Sequence, residues 1–163
     1  MGITANRLRA VLSYDPDTGI FRWLVGARRG RVADSVDVTT GYHRIKVDGA
    51  SYGANRLAWL YMSGEWPADQ VDHRNTVRSD NRWDNLRAAT GSQNKANGNR
   101  YSNNTSGIKG VSPSGRRNKP WSAVITKDGF TRRLGRYVTK EEADAAYRHA
   151  ANHLHGEFAR VGV

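Results

Sequence analysis

The sequence has no cysteine and few acidic residues, and both shortages restrict what the protein can be. Without cysteine there is no disulfide framework, no thiolate nucleophile and no cysteine-ligated zinc site. Only 15 Asp and Glu residues stand against 26 Lys and Arg residues, which gives a net charge of +11. An excess of this size favours a polyanionic partner, and nucleic acid is the commonest such partner.

Long apolar stretches are also missing. No run of 18 apolar residues and no amphipathic basic helix is found, so we expect no membrane partner. The N-terminal sequence MGITANRLRA has no apolar core of the signal-peptide kind, and the lack of cysteine fits a reducing compartment. These features predict a cytoplasmic protein. A length of 163 residues suits one medium domain or two small ones.

The positive charge is concentrated toward the C-terminus. Residues 1–97 carry 14 basic and 10 acidic side chains, a net charge of +4, whereas residues 98–163 carry 12 basic and 5 acidic side chains, a net charge of +7. The shorter C-terminal part is therefore the more electropositive. We predict that its main task is to hold a phosphate backbone.

The first 70 residues carry helix and strand signals but no obvious catalytic set. Helices are predicted over 4–13 and 55–62, and strands over 20–24 and 42–47, with turn signals at 14–19 and at Asp48-Gly49. A two-stranded hairpin with one helix has too little apolar surface to fold alone. We therefore predict that these elements complete the core of a catalytic hairpin further along the chain.

Polar residues able to bind a metal ion and activate water are concentrated in the segment 70–97. Asp72 and His73 offer an oxygen ligand and a proton acceptor on adjacent residues, and consecutive side chains of a strand point to opposite faces. Residues 85–89 can return as the antiparallel partner of 70–73. Thr90 or Ser92 can cap a following helix that carries Asn94. Such a hairpin and helix would bring Asp72 and Asn94 together as oxygen ligands beside His73.

This segment resembles the ββα-metal motif of HNH endonucleases. Four elements carry the resemblance at the family's spacing: Asp72-His73, Asp80-Asn81, Asn85-Leu86-Arg87 and Ser92-Gln93-Asn94. The resemblance implies that His73 is the general base, that Asp72 and Asn94 bind the metal, and that Asn85 locks the loop through backbone hydrogen bonds. Oxygen ligands favour one divalent ion, Mg²⁺ or Mn²⁺, over zinc. No small-molecule cofactor is expected.

The resemblance extends upstream of the motif. Phage-encoded HNH proteins often show a Tyr-Asp-x-x-Thr-Gly turn, a Gly-Tyr strand and an Arg-Leu-Ala-Trp helix, which correspond here to 14–19, 41–42 and 56–59. Many of these relatives carry His where this sequence has Asn55. Either a tuned or an inactivated metal site would follow from that difference. Retention of Asp72, His73 and Asn94 favours the tuned site.

The C-terminal third predicts a small sheet covered by a helix. A polar stretch ends near residue 107, and strands are predicted over 108–111, 121–125 and 130–135, with Asp128-Gly129 as the last hairpin turn. Thr139 and Glu142 form a capping-box pattern that opens a helix with an alanine-rich stripe. Three strands and one helix would leave the other face of the sheet open.

Residues 106–160 resemble the DNA-binding domain of plant ethylene-response factors, the apetala type. The resemblance is carried by Ser106-Gly107, Gly110-Val111, Trp121-x-Ala123-x-Ile125, Leu134-Gly135-x-Tyr137-x-Thr139, Glu141-Glu142-Ala143, Ala146-Tyr147, Ala150-Ala151 and His155-Gly156-Glu157. In that family the sheet enters the major groove of DNA, and its Arg and Trp side chains contact bases and phosphates. The residues expected here to contact DNA are Arg116, Arg117, Trp121, Arg132, Arg133 and Arg136, together with Arg87 of the nuclease motif. A core position for Trp121 is equally compatible with the sequence.

Together these patterns predict an α+β protein of two modules: an HNH nuclease domain over 1–97, a linker over 98–107 and a sheet-plus-helix DNA-binding domain over 108–163. The expected activity is metal-dependent hydrolysis of a phosphodiester bond in double-stranded DNA, by nicking or cutting, as in phage homing endonucleases. The alternative is a non-catalytic DNA-binding regulator that retains a decayed nuclease fold. One metal centre per chain breaks one strand per encounter, so either a monomer or a dimer is compatible with the sequence.

Overall fold

The computed structural model describes residues 2–99 and 103–161 and has a mixed α/β architecture, with small antiparallel sheets and four α-helices in the described residues. The mixed class expected from the sequence is confirmed. The chain divides into two compact units, Met1–Ala89 and Thr90–Val163. None of the described helices is long and apolar enough to cross a lipid bilayer.

The first unit contains two helices and three small sheets. Its elements are α1 (Ala5–Val11), β1 (Leu12–Asp15), β2 (Ile20–Trp23), β3 (Ser35–Val36), β4 (His43–Val47), β5 (Ala50–Gly53), α2 (Ala54–Ser63), β6 (Gln70–His73) and β7 (Leu86–Ala89). Strands β1 and β2 form one hairpin, β3, β4 and β5 form a three-stranded sheet in that order, and β6 and β7 form the second hairpin.

The N-terminal helix is shorter than its sequence pattern predicts. The Thr4 hydroxyl accepts a hydrogen bond from the N–H of Arg7 at 3.2 Å and caps the helix, as expected for Thr at this position. The helix ends at Val11 because Leu12 begins a strand that pairs with Trp23. The strand pairing of residues 12 and 13 therefore outweighs the helical periodicity that predicted a longer helix.

One apolar core joins the helices and sheets of the first unit. Leu8 of α1, Leu12 of β1 and Leu57 of α2 are completely buried in it. Val71 of β6 and Leu86 of β7 belong to the same cluster. The hairpin of β6 and β7 is therefore anchored by the apolar residues beside its polar ones, and elements of the first 70 residues complete its core.

The second unit is built on a three-stranded sheet and a long helix. Its elements are α3 (Gly91–Asn97), β8 (Val111–Pro113), β9 (Trp121–Lys127), β10 (Phe130–Tyr137) and α4 (Lys140–His155), with the strands in the order β10-β9-β8. Thr139 and Glu142 form the capping box of α4. Val111, Ala123 and Tyr147 are buried where the helix covers the sheet.

The stretch that precedes β8 is a turn rather than the strand predicted over 108–111. The Asn104 amide donates to the carbonyl oxygen of Ile108 at 2.9 Å, and the Ser106 hydroxyl donates to that of Val111 at 2.7 Å. Gly110 has a φ of +74°, and a Cβ there would lie 2.2 Å from the ring of Tyr147. Only glycine satisfies both conditions, and the turn delays the strand to Val111.

Helix α3 packs within the second unit, although the sequence pattern places it with the nuclease domain. The Ser92 hydroxyl accepts a hydrogen bond from the N–H of Asp128 in the β9–β10 turn at 2.8 Å. Lys109 Nζ donates to the carbonyl oxygens of Ala96 and Gly98 at the C-terminal end of the helix. These contacts agree with the division of the chain into compact units after Ala89. The domain boundary expected after residue 97 stays a prediction. Residues 100–102 of the predicted linker lie outside the described residues.

Candidate active site

The hairpin of β6 and β7 places Asp72 and Arg87 side by side. The two residues are cross-strand partners, and such partners project from the same face of a sheet. Arg87 Nε and Nη2 each lie 2.8 Å from Asp72 Oδ2. The Arg87 and Asp72 side chains are only 7% and 4% exposed, respectively. The pair is therefore a buried, charge-assisted contact within the hairpin.

This position corrects the sequence-based expectation for Arg87. The side chain was predicted to contact DNA, but its guanidinium is directed at a buried carboxylate. The physical reason is that an ionised carboxylate removed from water requires a cation or several hydrogen-bond donors nearby. In β7, the residue opposite Asp72 is the one best placed to supply them.

His73 follows Asp72 on β6, so its side chain projects from the opposite face of the strand. The residue is 3% exposed, and its Nε2 lies 3.0 Å from Oδ1 of Asn81. Burial lowers the pKa of His73 below its ordinary value, in spite of the opposing effects of Asn81 and Asp72. At neutral pH the ring is therefore neutral, which is the form that accepts a proton.

The loop between the two strands is closed by Asn85. Its Oδ1 accepts a hydrogen bond from the N–H of Asn75 at 3.0 Å, and its Nδ2 donates to the carbonyl oxygen of Asp80 at 2.7 Å. Asn85 is itself 8% exposed. One side chain thus joins the beginning of the loop to its middle. These are backbone hydrogen bonds of the kind expected for this residue.

Asp80 also holds the same loop together through its side chain. Its carboxylate accepts hydrogen bonds from Arg82 at 2.7 and 2.8 Å and from the amide of Asn75 at 2.7 Å. The hydrogen bond from Arg82 is the largest of the effects that lower the pKa of Asp80 to about 2. Asp80 is therefore ionised at neutral pH and stabilises the loop.

Asn55 contacts the strand that carries Asp72 and His73. It is buried at the start of α2, and its Nδ2 donates to the carbonyl oxygen of Val71 at 3.0 Å. This hydrogen bond fixes the β6 backbone next to Asp72. Asn55 therefore holds the strand that carries Asp72 and His73.

Asn94, the second predicted metal ligand, lies on α3 in the second unit. Thr90 rather than Ser92 caps this helix: its hydroxyl accepts from the N–H of Gln93 at 3.2 Å, and Gln93 Oε1 accepts from the N–H of Thr90 at 2.8 Å. Within 2–99 and 103–161, no three His, Cys or acidic side chains cluster as a metal site. The pairing of Asn94 with Asp72 stays a prediction.

The residues predicted to contact DNA occupy different parts of the C-terminal sheet. Arg133 lies opposite Val124 and Arg136 opposite Ser122, whereas Arg132 lies opposite Ile125, which packs toward α4. Arg133 and Arg136 therefore share the face away from the helix. Arg116 and Arg117 are exposed in the connection between β8 and β9.

Trp121 is on the covered side of the same sheet. It packs against the apolar cluster of the second unit, and Lys140 Nζ lies 5.6 Å from the centre of its ring. The core position that the sequence left open is therefore the one the structure shows. Its indole remains partly exposed.

Three residues near His73 were given no role at the site by the sequence analysis. Asn81 contacts the imidazole directly, the Tyr42 ring centre lies 5.9 Å from that of His73, and the guanidinium of Arg78 lies 5.0 Å above the Tyr42 ring. The spacing of the motif includes Asn81, but the spacing alone does not show which side chain Asn81 contacts. Tyr42 lies in a segment whose strand signal indicated only a core role.

Comparison with known proteins shows what the segment that carries this site is similar to. Residues 52–96 match the model of a family described as HNH endonuclease. The chain is 34% identical over 101 residues to a protein of Acanthamoeba polyphaga mimivirus named "Uncharacterized HNH endonuclease L560". That alignment covers 61% of this chain and 51% of the viral protein. The chain thus spans about half the length of this curated relative. No solved structure matches the chain significantly.

The family match defines an HNH endonuclease domain over residues 52–96. It includes α2, the hairpin of β6 and β7, and all of α3 except its last residue, Asn97. All four elements of the motif lie inside it. The match therefore extends across the boundary between the two compact units.

Proposed function

We propose that this protein is a DNA endonuclease that hydrolyses a phosphodiester bond with the help of one divalent metal ion. The observation that carries the proposal is the presence of a buried carboxylate and a buried neutral imidazole on adjacent residues of β6, Asp72 and His73, beside a loop closed by Asn85. The HNH family match over 52–96 supports the same conclusion.

In the proposed mechanism His73 is the general base. Its Nε2–H donates to Asn81 Oδ1, so the basic lone pair is on Nδ1, which takes a proton from the attacking water. The lowered pKa keeps this lone pair available at neutral pH. A general base of this kind typically contributes a factor of about 10²–10⁴ to the rate.

The residues present fit a divalent ion with hard oxygen ligands. Asp72 faces the Arg87 guanidinium with one carboxyl oxygen, and carboxylate oxygens are ligands that hard divalent ions prefer. Asp72 and the side-chain oxygen of Asn94 would hold Mg²⁺ or Mn²⁺, and Mg²⁺ is commonly bound by one carboxylate together with substrate phosphate and water. Such an ion supplies positive charge to the scissile phosphate and to the leaving oxygen.

Double-stranded DNA is the proposed substrate, held mainly by the second unit. Arg133 and Arg136 project from the face of the sheet that α4 leaves uncovered, and Arg116 and Arg117 extend the positive charge at one end. A sheet-type DNA anchor combined with an HNH domain is typical of phage homing endonucleases, and we assign this protein to that type. Its working location would be the cytoplasm of the host cell.

The direct test is cleavage of supercoiled plasmid by the purified protein. Relaxed or linear product is expected with Mg²⁺ and not with EDTA. His73→Ala should slow cleavage by about 10²–10⁴-fold while the affinity for DNA in a gel shift stays unchanged. His149→Ala is the matched control, because His149 is an exposed histidine on α4.

Two results would contradict the proposal. Plasmid that is bound but never cut in Mg²⁺ or Mn²⁺ would favour the non-catalytic regulator. Full activity in EDTA would exclude the metal. The form of the product separates nicking from double-strand cutting.

A further inference from the structure

The contact between His73 and Asn81 fixes more than the position of the imidazole ring. Both residues are nearly fully buried, at 3% and 4% exposure, and their side chains meet at 3.0 Å. Asn81 Nδ2 is directed toward the carbonyl oxygen of Ser79 at 3.5 Å, which turns Oδ1 toward the imidazole. Because Oδ1 can only accept a hydrogen bond, His73 Nε2 must carry the proton.

A neutral imidazole has two tautomers, and only one of them suits a given reaction geometry. A proton on Nε2 leaves the basic lone pair on Nδ1, and the opposite tautomer would present an N–H where the base is needed. Asn81 therefore selects the tautomer of His73 and holds the rotation of its ring. Neither effect requires Asn81 to touch the substrate.

Asn81 is in turn held by the end of β1 and by the turn that follows it. The hydroxyl of Tyr14 donates to the main-chain oxygen of Asn81 at 2.7 Å, in a buried position 67 residues away in sequence. The N–H of Trp83 donates to the carbonyl oxygen of Pro16 at 2.9 Å. Gly19 has a φ of +73°, and a Cβ there would lie 2.5 Å from the Asn81 carbonyl carbon. The turn and the loop thus meet backbone to backbone.

We propose that Asn81 and Tyr14 are positioning residues for His73, and that the β1–β2 turn belongs to the catalytic apparatus as well as to the core. This inference rests on the proposed role of His73 as general base. It gives the Tyr-Asp-x-x-Thr-Gly segment at 14–19 a function that core packing alone does not require. Tyr14 acts on Asn81 through the backbone, and Asn81 acts on the imidazole through its side chain.

The first test reads the tautomer directly and needs no DNA. Nitrogen-15 NMR of labelled histidine distinguishes protonated from unprotonated ring nitrogens at a pH where His73 is neutral. In the wild type we expect the proton on Nε2. Asn81→Leu, similar in shape but without an acceptor, should lose this preference, and Asn81→Asp, which keeps an oxygen there, should retain it. Retention of the Nε2–H tautomer in Asn81→Leu would overturn the role of Asn81.

The second test compares two hydroxyl deletions in the first unit. Tyr14→Phe removes the contact with Asn81, whereas Tyr52→Phe removes a hydroxyl that accepts a hydrogen bond from the N–H of Ile3 at 3.3 Å. We expect Tyr14→Phe to lower the single-turnover cleavage rate roughly ten- to a hundredfold with unchanged DNA affinity. It should also shift the ring nitrogen signals of His73. Tyr52→Phe should do neither.

If Tyr14→Phe and Tyr52→Phe have equally small effects on the cleavage rate and on the ring nitrogen signals of His73, the β1–β2 turn has only a structural role. Failure of the wild type to cut DNA would reject the proposed function but leave the tautomer measurement intact. The two ideas therefore fail separately. Far-ultraviolet circular dichroism confirms that each variant is folded before it is compared, and Tyr14→Phe keeps the inference testable if Asn81→Leu does not fold.

Discussion

Replacing Arg87 with Met tests the buried ion pair between β6 and β7. Met preserves an unbranched stem but removes the two N–H groups that lie 2.8 Å from Asp72 Oδ2. The Asp72 carboxylate would then remain 4% exposed without its cation. Removing one partner of a buried pair typically costs about 3–5 kcal/mol, because the other charge is left in a poorly solvating environment.

A loss of that size is large for a small protein. At about 1.4 kcal/mol for each factor of ten, the ratio of folded to unfolded protein would fall by roughly two to three and a half orders of magnitude. Urea unfolding followed by tryptophan fluorescence measures the change. Adding Asp72→Ala to Arg87→Met should recover part of the lost stability, since the double variant has no stranded charge. The coupling between the two sites should be about 1–3 kcal/mol.

Arg82→Met is the matched control for this measurement. Arg82 also makes two short contacts with one carboxylate, that of Asp80, but its side chain is 55% exposed. Exposed pairs contribute less than about 1 kcal/mol. If Arg87→Met costs no more than Arg82→Met, the buried pair does not stabilise the hairpin. If the log-log salt slope of DNA binding instead falls by about 0.9 in Arg87→Met, the result would support the predicted contact between Arg87 and a phosphate.

Two further predictions concern the second unit. Lys109→Met should lower the free energy of unfolding by about 1–3 kcal/mol in urea titrations, because the ammonium satisfies carbonyl groups at the end of α3, and the exposed Lys119→Met should have little effect. Replacing both Arg133 and Arg136 with Ala should reduce the log-log salt slope of DNA binding by about 0.9 for each phosphate that is no longer neutralised, whereas Arg148→Ala on α4 should leave the slope unchanged. An unchanged slope in the double Arg variant, or an equal reduction in Arg148→Ala, would remove the sheet from the binding surface.

Local patterns were sufficient to predict the hairpin of β6 and β7. Residues 70–73 and 86–89 are close in sequence, and their apolar and polar alternation sets which of them pair. The structure pairs Gln70 with Ala89 and His73 with Leu86, within the segments expected to pair. The capping box at Thr139 and the glycine turns were equally readable, because each depends on residues no more than a few positions apart.

Contacts between distant residues were not predictable in the same way. Whether Arg87 faces DNA or Asp72 depends on burial, which a single sequence pattern does not supply. The hydrogen bond from Tyr14 to Asn81 spans 67 residues, and no local sequence pattern predicts it. The assignment of α3 to the second unit depends on Lys109 and on the link between Ser92 and Asp128, again across long separations.

The position of the unit boundary has a consequence for how such proteins exchange parts. A chimaera joined after residue 97 would separate α3 from Lys109, the residue that satisfies the carbonyls at its C-terminal end. A chimaera joined after Ala89 would keep that helix with its own sheet, but Asn94 would then come from the donor of the second unit. Recombination at the second junction therefore transfers the predicted metal ligand together with the proposed DNA-binding surface. If both proposals hold, an exchanged second unit brings one of the metal ligands with it.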